Sequence, residues 1–286
     1  MLANFLIGLR EGLEAGLIVS ILVAYLVKSD RRRLLPQLWS GVAAAIVLSL
    51  GFGAALTFGP RGLSHEAQEL IGGLLSVLAV VFVTWMIFWM AAAARGMGGE
   101  LRGRIDRAAD AGGWSLVVVG LLAVGREGLE TALFLWAATG AATSGGASSV
   151  RPLIAAALGL ATAVVLAYLL YRGALRLNLS RFFTWTGGFL VLVAGGVLSY
   201  GVHDLQEAGV LPGEDSLLFD VSNVLDPSSW FAVVLKGVFN ISPVTSVLAG
   251  VAWLLYVVPT MTIFLVKARG RSSRSPARPR VPERTG

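Results

Sequence analysis

The chain has 286 residues, a formal net charge of +6, 56% hydrophobic and 14% charged residues, and no cysteine. A mean hydropathy of +0.75 lies far above that of a soluble domain and makes this a polytopic membrane protein. The missing cysteines exclude disulfides, thiolate metal sites and iron–sulfur clusters, so any metal must be held by oxygen or by the only two histidines, His65 and His203.

The first apolar stretch, about residues 2 to 27, is long enough to cross a roughly 30 Å hydrocarbon core. It resembles a signal peptide in position only. Arg10, Glu11 and Glu14 interrupt its apolar run and no clear cleavage site follows, so it reads as a retained first span. A second span covers about 38 to 59 and a third about 70 to 94. His65, Glu66 and Glu69 stand at the head of the third, and its tail reads "VTWMIFWM" (83 to 90), an aromatic run that reads as span packing or interfacial belt rather than a cofactor box. Spans four to seven follow at about 114 to 139, 151 to 171, 182 to 202 and 244 to 266. Within the last connection, "SSWFAVVLKGVFN" (228 to 240) is apolar but short for a span, and is expected to be re-entrant or interfacial. Residues 268 to 286, rich in Arg, Ser and Pro, are expected to form a disordered basic tail.

Charge orients the spans. Lys28 and Arg31 to Arg33, then Arg95, Arg102, Arg104 and Arg107, then Arg172, Arg176 and Arg181, and finally Lys267 with the tail arginines all fall on one side if there are seven spans. The positive-inside rule puts the N-terminus outside and the tail in the cytoplasm, and the basic balance needs no nucleic acid to explain it. On the other side, His203, Asp204 and Glu207, followed by Glu214, Asp215, Asp220 and Asp226, form an acidic outer loop. Such a loop concentrates cations at an entrance, although an ordinary solvated loop has the same composition.

The pentapeptide "REGLE" occurs at 10 to 14 and again at 126 to 130. "GGLLSVLAV" (72 to 80) matches "GGFLVLVAG" (187 to 195) at nearly the same offset, so spans one to three and four to six read as copies. Three is odd, and the second copy therefore enters the membrane inverted, as in many secondary transporters. The expected fold is an all-α polytopic membrane protein: seven transmembrane helices as two inverted three-helix repeats plus one extra C-terminal helix. Repeat one covers 1–95, repeat two 114–202, the outer acidic loop 203–243 and the seventh span 244–266, making a permease domain of 1–267.

Both motifs lie at mid-depth, about 12 Å and about 18 Å along their helices at 1.5 Å per residue. Taking Arg10 as zero, Glu14 falls at about 40° and Glu11 at about 100°, so the three charges share one face. Gly8, Gly12 and Gly16 run opposite them, a row that admits a close neighbour; Gly128 and Ala132 keep part of it in the second copy. Two such helices crossing in opposite senses bring Glu11, Glu14, Glu127 and Glu130 together with Arg10 and Arg126. Carboxylates at that depth need neutralising, at several kcal/mol per ion. Arginines, protons or a metal can do it, and an oxygen-only set with surplus negative charge suits a hard, highly charged cation such as Fe(III). An inside-negative potential adds about 2.3 kcal/mol per charge per 100 mV, roughly 7 kcal/mol for a trivalent ion. The competing reading is purely structural: Arg10 to Glu14 and Arg126 to Glu130 at i,i+4 fix packing, which leaves Glu11 and Glu127 without partners.

With these motifs, with "VTWMIFWM" and with "YGVHDLQEAG" (200 to 209), residues 1 to 267 resemble the oxidase-dependent iron permeases of bacteria and fungi. The resemblance implies that Glu11, Glu14, Glu127 and Glu130 carry iron and that Arg10 and Arg126 are needed. It implies a plasma-membrane protein whose partners are an extracytoplasmic iron oxidase or peroxidase and an iron-binding protein. Iron is then the transported substrate, with no permanently bound cofactor. A permease for lead or manganese is the alternative. An enzyme or electron carrier is not expected: both histidines lie near the outer surface rather than in a haem-binding interior, and no nucleophile and base stand at helical spacing. A second, weaker site is possible where His65, Glu66 and Glu69 meet the outer side, and likewise His203, Asp204 and Glu207. The two groups are not equivalent ends under an inverted repeat, so symmetry gives no reason to join them; if the loops converge, the six residues make one outer entry site for iron handed over by the partner.

Overall fold

A computed structural model describes residues 1–93, 113–143, 150–174, 179–213, 216–220 and 244–272. Seven α-helices are present among them: α1 (Leu2–Lys28), α2 (Leu35–Phe58), α3 (His65–Ala93), α4 (Gly113–Thr143), α5 (Val150–Tyr171), α6 (Leu179–Glu207) and α7 (Val247–Ser272). Each coincides with an expected span to within a few residues at either end; α7 begins at Val247 rather than 244, because Val244–Ser246 form a strand. Arg95 to Arg107, residues 228 to 240 and the tail from 273 lie outside the described residues; α7 itself runs past Lys267 into the segment expected as tail. A two-stranded antiparallel ribbon, β1 (Leu217–Asp220) with β2 (Val244–Ser246), was not legible in the sequence, because each strand is too short to show a period.

The helix ends follow local chemistry. Proline in the first turn of α2 costs no hydrogen bond there. Helices α5 and α6 each stop at a glycine with φ of 70°, Gly173 and Gly209. In both, the next amide reaches back to the helix, Ala174 to the Leu169 carbonyl and Val210 to that of Leu205, the Schellman closure that favours glycine. Hydroxyls inside the helices are satisfied locally, as Thr84, Thr131 and Thr186 donate to the carbonyls four residues earlier. That is the arrangement an apolar surround requires.

Five helical stretches are long and apolar enough to cross a membrane: Arg32–Phe58, His65–Trp89, Val150–Tyr171, Arg181–Glu207 and Val247–Lys267. The two long helices outside this group, α1 and α4, are those that carry the REGLE charges. Exposed apolar side chains such as Val47, Leu50, Trp85, Leu158 and Leu255 clothe the outside, as expected of a multi-pass protein facing lipid.

The packing is in pairs. Helix α1 lies chiefly against α5, α2 against α4, and α3 against α6, with α7 added beside α6 and α1 crossing α4. The first two pairs are parallel and intimate. A Cβ placed on Gly8 would lie 2.6 Å from the Ala156 carbonyl oxygen, and one on Gly120 2.8 Å from that of Leu38. Gly159 and Gly41 return the same close approach from the other sides, onto the Phe5 and Val117 carbonyls, so no larger side chain fits either crossing. By contrast α1 and α4 are antiparallel. Asn4 bonds Thr139 at one end with its amide 2.8 Å away, Leu22 and Leu26 pack with Leu116 at the other, and the motifs meet between. A core of Ala79, Val83, Ile87, Phe134, Leu190 and Val197 fills the space among α3, α4 and α6.

Candidate metal centre

The glycine row of α1 faces α5, which turns Arg10, Glu11 and Glu14 inward to α4 and α3. On α4 the corresponding row, Gly128 and Ala132, faces Ser49 and Gly53 of α2, and Glu127 points back at α1. Carboxylate oxygens of Glu11, Glu14 and Glu127 all lie within 4.8 Å of one another. These three are 1%, 5% and 1% exposed. Glu130 stands outside that triplet, its Oε1 3.7 Å from Arg126 Nε.

Each arginine spans both carboxylates of its own motif. Arg10 Nη1 donates to Glu11 Oε1 at 2.8 Å, and Nη2 lies 3.2 Å from Glu14 Oε1. Arg126 Nε donates to Glu127 Oε1 at 3.0 Å, and Nη2 also reaches that oxygen. The expectation that Glu11 and Glu127 would be left without partners is therefore corrected. A guanidinium presents five donors in a fixed fork, wide enough to take the adjacent residue together with the one a turn away.

Pairing does not satisfy the acids. Glu11 Oε2, Glu127 Oε2 and Glu130 Oε2 are buried without a hydrogen-bond partner, and so is Glu14 Oε1, whose 3.2 Å approach to Arg10 Nη2 is an ion pair that lacks hydrogen-bond geometry; that is one oxygen from each motif glutamate. Two arginines against four carboxylates leave a formal surplus of two negative charges. A buried acceptor without a hydrogen bond costs about 1–3 kcal/mol, more when charged, so the cluster is built for a further positive species. Oxygen donors in this number suit a hard cation.

Helix α3 closes the third side, and sequence reasoning did not assign it there. Met86 Sδ is 3.6 Å from Arg10 Nη1, and the Trp89 ring lies under Arg126 with its centroid 4.7 Å from Cζ. The "VTWMIFWM" run therefore does more than pack or belt the span: two of its members, one turn apart, each touch a motif arginine. The spacing of Met86 and Trp89 was visible, but their register against α1 and α4 was not. Asn4, buried and bonded to Thr139 between the same two helices, was also missed.

The second group of acids is brought together as well. Glu69, Asp204 and Glu207 have carboxylate oxygens within 4.8 Å of one another. His65 Nδ1 lies 3.3 Å from Glu69, and His203 Nε2 3.3 Å from Glu207; Glu66 is exposed and takes no part. One expectation changes here. Asp204 and Glu207 belong to the last turns of α6 rather than a loop, and Asp204 is 2% exposed with Oδ2 lacking a hydrogen bond. The two groups do meet, because α3 and α6 are antiparallel partners packed through Gly73 and Gly201. Antiparallel pairing joins the start of one helix to the end of the other without any symmetry.

The profile of the Iron permease FTR1 family matches residues 1–275. Among curated proteins, the ferrous iron permease EfeU of Escherichia coli O6:H1 (strain CFT073) is 39% identical over 278 residues, covering 96% of this chain and 99% of the relative. That of Escherichia coli O157:H7 gives the same figures, and the EfeU of Yersinia pestis is 35% identical over 272 residues, 94% of this chain and 95% of its own length. No solved structure matches the chain. A family profile spanning nearly all of the chain, and relatives matched almost end to end, make the assignment plain: this protein belongs to the FTR1 family of iron permeases.

Proposed function

We propose that the chain is a plasma-membrane permease that moves iron between α1 and α4 through the carboxylates of Glu11, Glu14, Glu127 and Glu130. The observation that carries this is the set of four buried carboxylate oxygens without hydrogen bonds, one from each glutamate, at the crossing of two antiparallel helices. Arg10 and Arg126 hold the acids together while the site is empty of cargo. Glu69, Asp204 and Glu207 form an outer loading site at the far end of α3 and α6, with His65 and His203 at its rim. Iron arrives there as Fe(III) from a separate extracytoplasmic oxidase or peroxidase, helped by an iron-binding protein. The N-terminus lies outside and the tail in the cytoplasm. The chain acts as a carrier, not an enzyme.

The pairings support an inverted repeat. Exchanging α1 with α4, α2 with α5 and α3 with α6 turns the α1–α5 pair into α4–α2 and leaves α1–α4 and α3–α6 as they are. All these pairs are the principal contacts of the fold.

A second reading, Fe(II) as cargo, is favoured by the relatives' name, ferrous iron permease, and by charge: a divalent ion cancels the surplus of two, whereas a trivalent one overshoots it. Radioiron uptake with the oxidation state fixed by ascorbate or by ferric citrate decides between them. Unlabelled lead or manganese in the same assay tests selectivity; full competition by lead below the iron concentration would overturn iron as the cargo.

A further inference from the structure

The two arginines differ in their surroundings. Arg10 is 1% exposed and enclosed by Glu11, Glu14 and Met86. The Arg126 side chain is 42% exposed, although it sits about 20 Å into α4 from Gly113, at 1.5 Å per residue. An arginine at that depth needs partners, and Arg126 has them in Glu127, Glu130 and the Trp89 ring; its side is the less enclosed side of the cluster. Glu130, 15% exposed at its side chain, lies on the same side.

What holds Arg126 there is Trp89. Its ring centroid lies 4.7 Å from the guanidinium carbon, inside the roughly 6 Å reach of a cation–π contact, which is stronger for tryptophan than for other aromatics and stronger when desolvated. Trp85 backs it, with ring centroids 6.4 Å apart and planes tilted by 33°. The guanidinium thus has two attachments on different helices, the carboxylates of α4 and the indole of α3. A cation entering the cluster competes with Arg126 for Glu127 and Glu130. The indole face gives the displaced charge a place to remain, and without it the only refuge at that depth is the carboxylates themselves.

We propose that Trp89 is a positioning residue for iron uptake: its indole face holds Arg126 at the open side of the cluster, so that Glu127 and Glu130 can be yielded to an incoming iron ion. This rests on the carboxylate reading above and adds a residue from the third wall.

The test is saturation kinetics of radioiron uptake by the full-length chain, normalised to the amount in the membrane. Trp89→Leu is expected to raise KM about 3–10-fold with Vmax within about twofold of the parent, while Trp89→Phe and Trp89→Tyr stay within about twofold in both. An unchanged KM in Trp89→Leu, a fall confined to Vmax, or equal losses in the Leu and Phe variants would overturn the proposal, since lost packing volume alone produces the last two. Where Trp89→Leu transports too little to fit, equilibrium radioiron binding to the purified protein reads the same affinity change, and parental affinity there overturns it. Glu127→Gln runs alongside. If it transports normally, the carboxylate reading itself fails; if it is inactive while Trp89→Leu keeps the parental KM, only the role of Trp89 fails.

Discussion

The two copies of REGLE are identical in sequence and unequal in place. The first is sealed: Arg10, Glu11 and Glu14 are all buried, walled by α5 behind and by α3 and α4 in front. The second is half open, with Glu127 as deep as Glu11 but Arg126 reaching out to an indole face. Identical letters fix which charges pair within each helix. Everything else is set by the neighbouring helices, and only one α3 exists to serve both motifs.

The largest effect should be common to both copies. Glu11→Gln and Glu127→Gln keep size and one acceptor but remove the charge, and each should lower iron uptake by at least about 100-fold while the protein still reaches the membrane. Normal transport by both variants would sink the shared site. The arginines should then divide the copies. Arg10→Leu leaves two buried carboxylates uncompensated, a loss of about 3–5 kcal/mol, and should show as poor accumulation and a lowered unfolding temperature in detergent. Arg126→Leu strands one fully buried carboxylate, Glu127, and one partly exposed, Glu130, and should cost less, about 3 kcal/mol at the lower end of the same range, with better accumulation than Arg10→Leu. Equal destabilisation would mean that the open side closes in the membrane.

Smaller effects concern the frame around each copy. Gly159→Val forces a side chain against the Phe5 backbone at the α1–α5 crossing and Gly41→Val does so at α2–α4; each should cost about 1–3 kcal/mol from overpacking, read as a lower melting temperature of similar size for the two crossings. A much milder loss at one would break the likeness between them. Asp204→Asn should raise the iron concentration needed for half-maximal uptake several-fold, on the order of the 10-fold that 1.4 kcal/mol represents. Glu66→Gln, outside the same cluster, should leave uptake as it was.

Most of the helical frame was legible from the sequence because lipid leaves a chain few choices: stretches of apolar residues near the needed length become spans. The inward face of REGLE was legible too, since helical angles place Arg10, Glu11 and Glu14 on one side and Gly8, Gly12 and Gly16 on the other. What could not be read was anything that depends on which helix lies opposite. The double engagement of each arginine, the arrival of Met86 and Trp89 beside the motifs, and the meeting of Glu69 with Asp204 and Glu207 all follow from rotations between helices, which no single stretch of sequence encodes. The Asp204 reading failed for a related reason. Its surroundings look like a loop by polarity, yet α6 continues until Gly209 closes it.

The close crossing of α1 with α5 has a consequence for biogenesis. Gly8 leaves the ribosome nearly 150 residues before Ala156, the residue its backbone touches. At about 5–20 residues per second, the wait lasts roughly 7–30 s. For most of that time α1 stays inserted with three charges before the whole of α4 is made, and throughout it α5 is incomplete. The bonds from Arg10 to Glu11 and Glu14 lie wholly within α1, so the helix can carry its own counter-ion into the translocon. The first motif thus brings its counter-ion on the same helix, ahead of every other span.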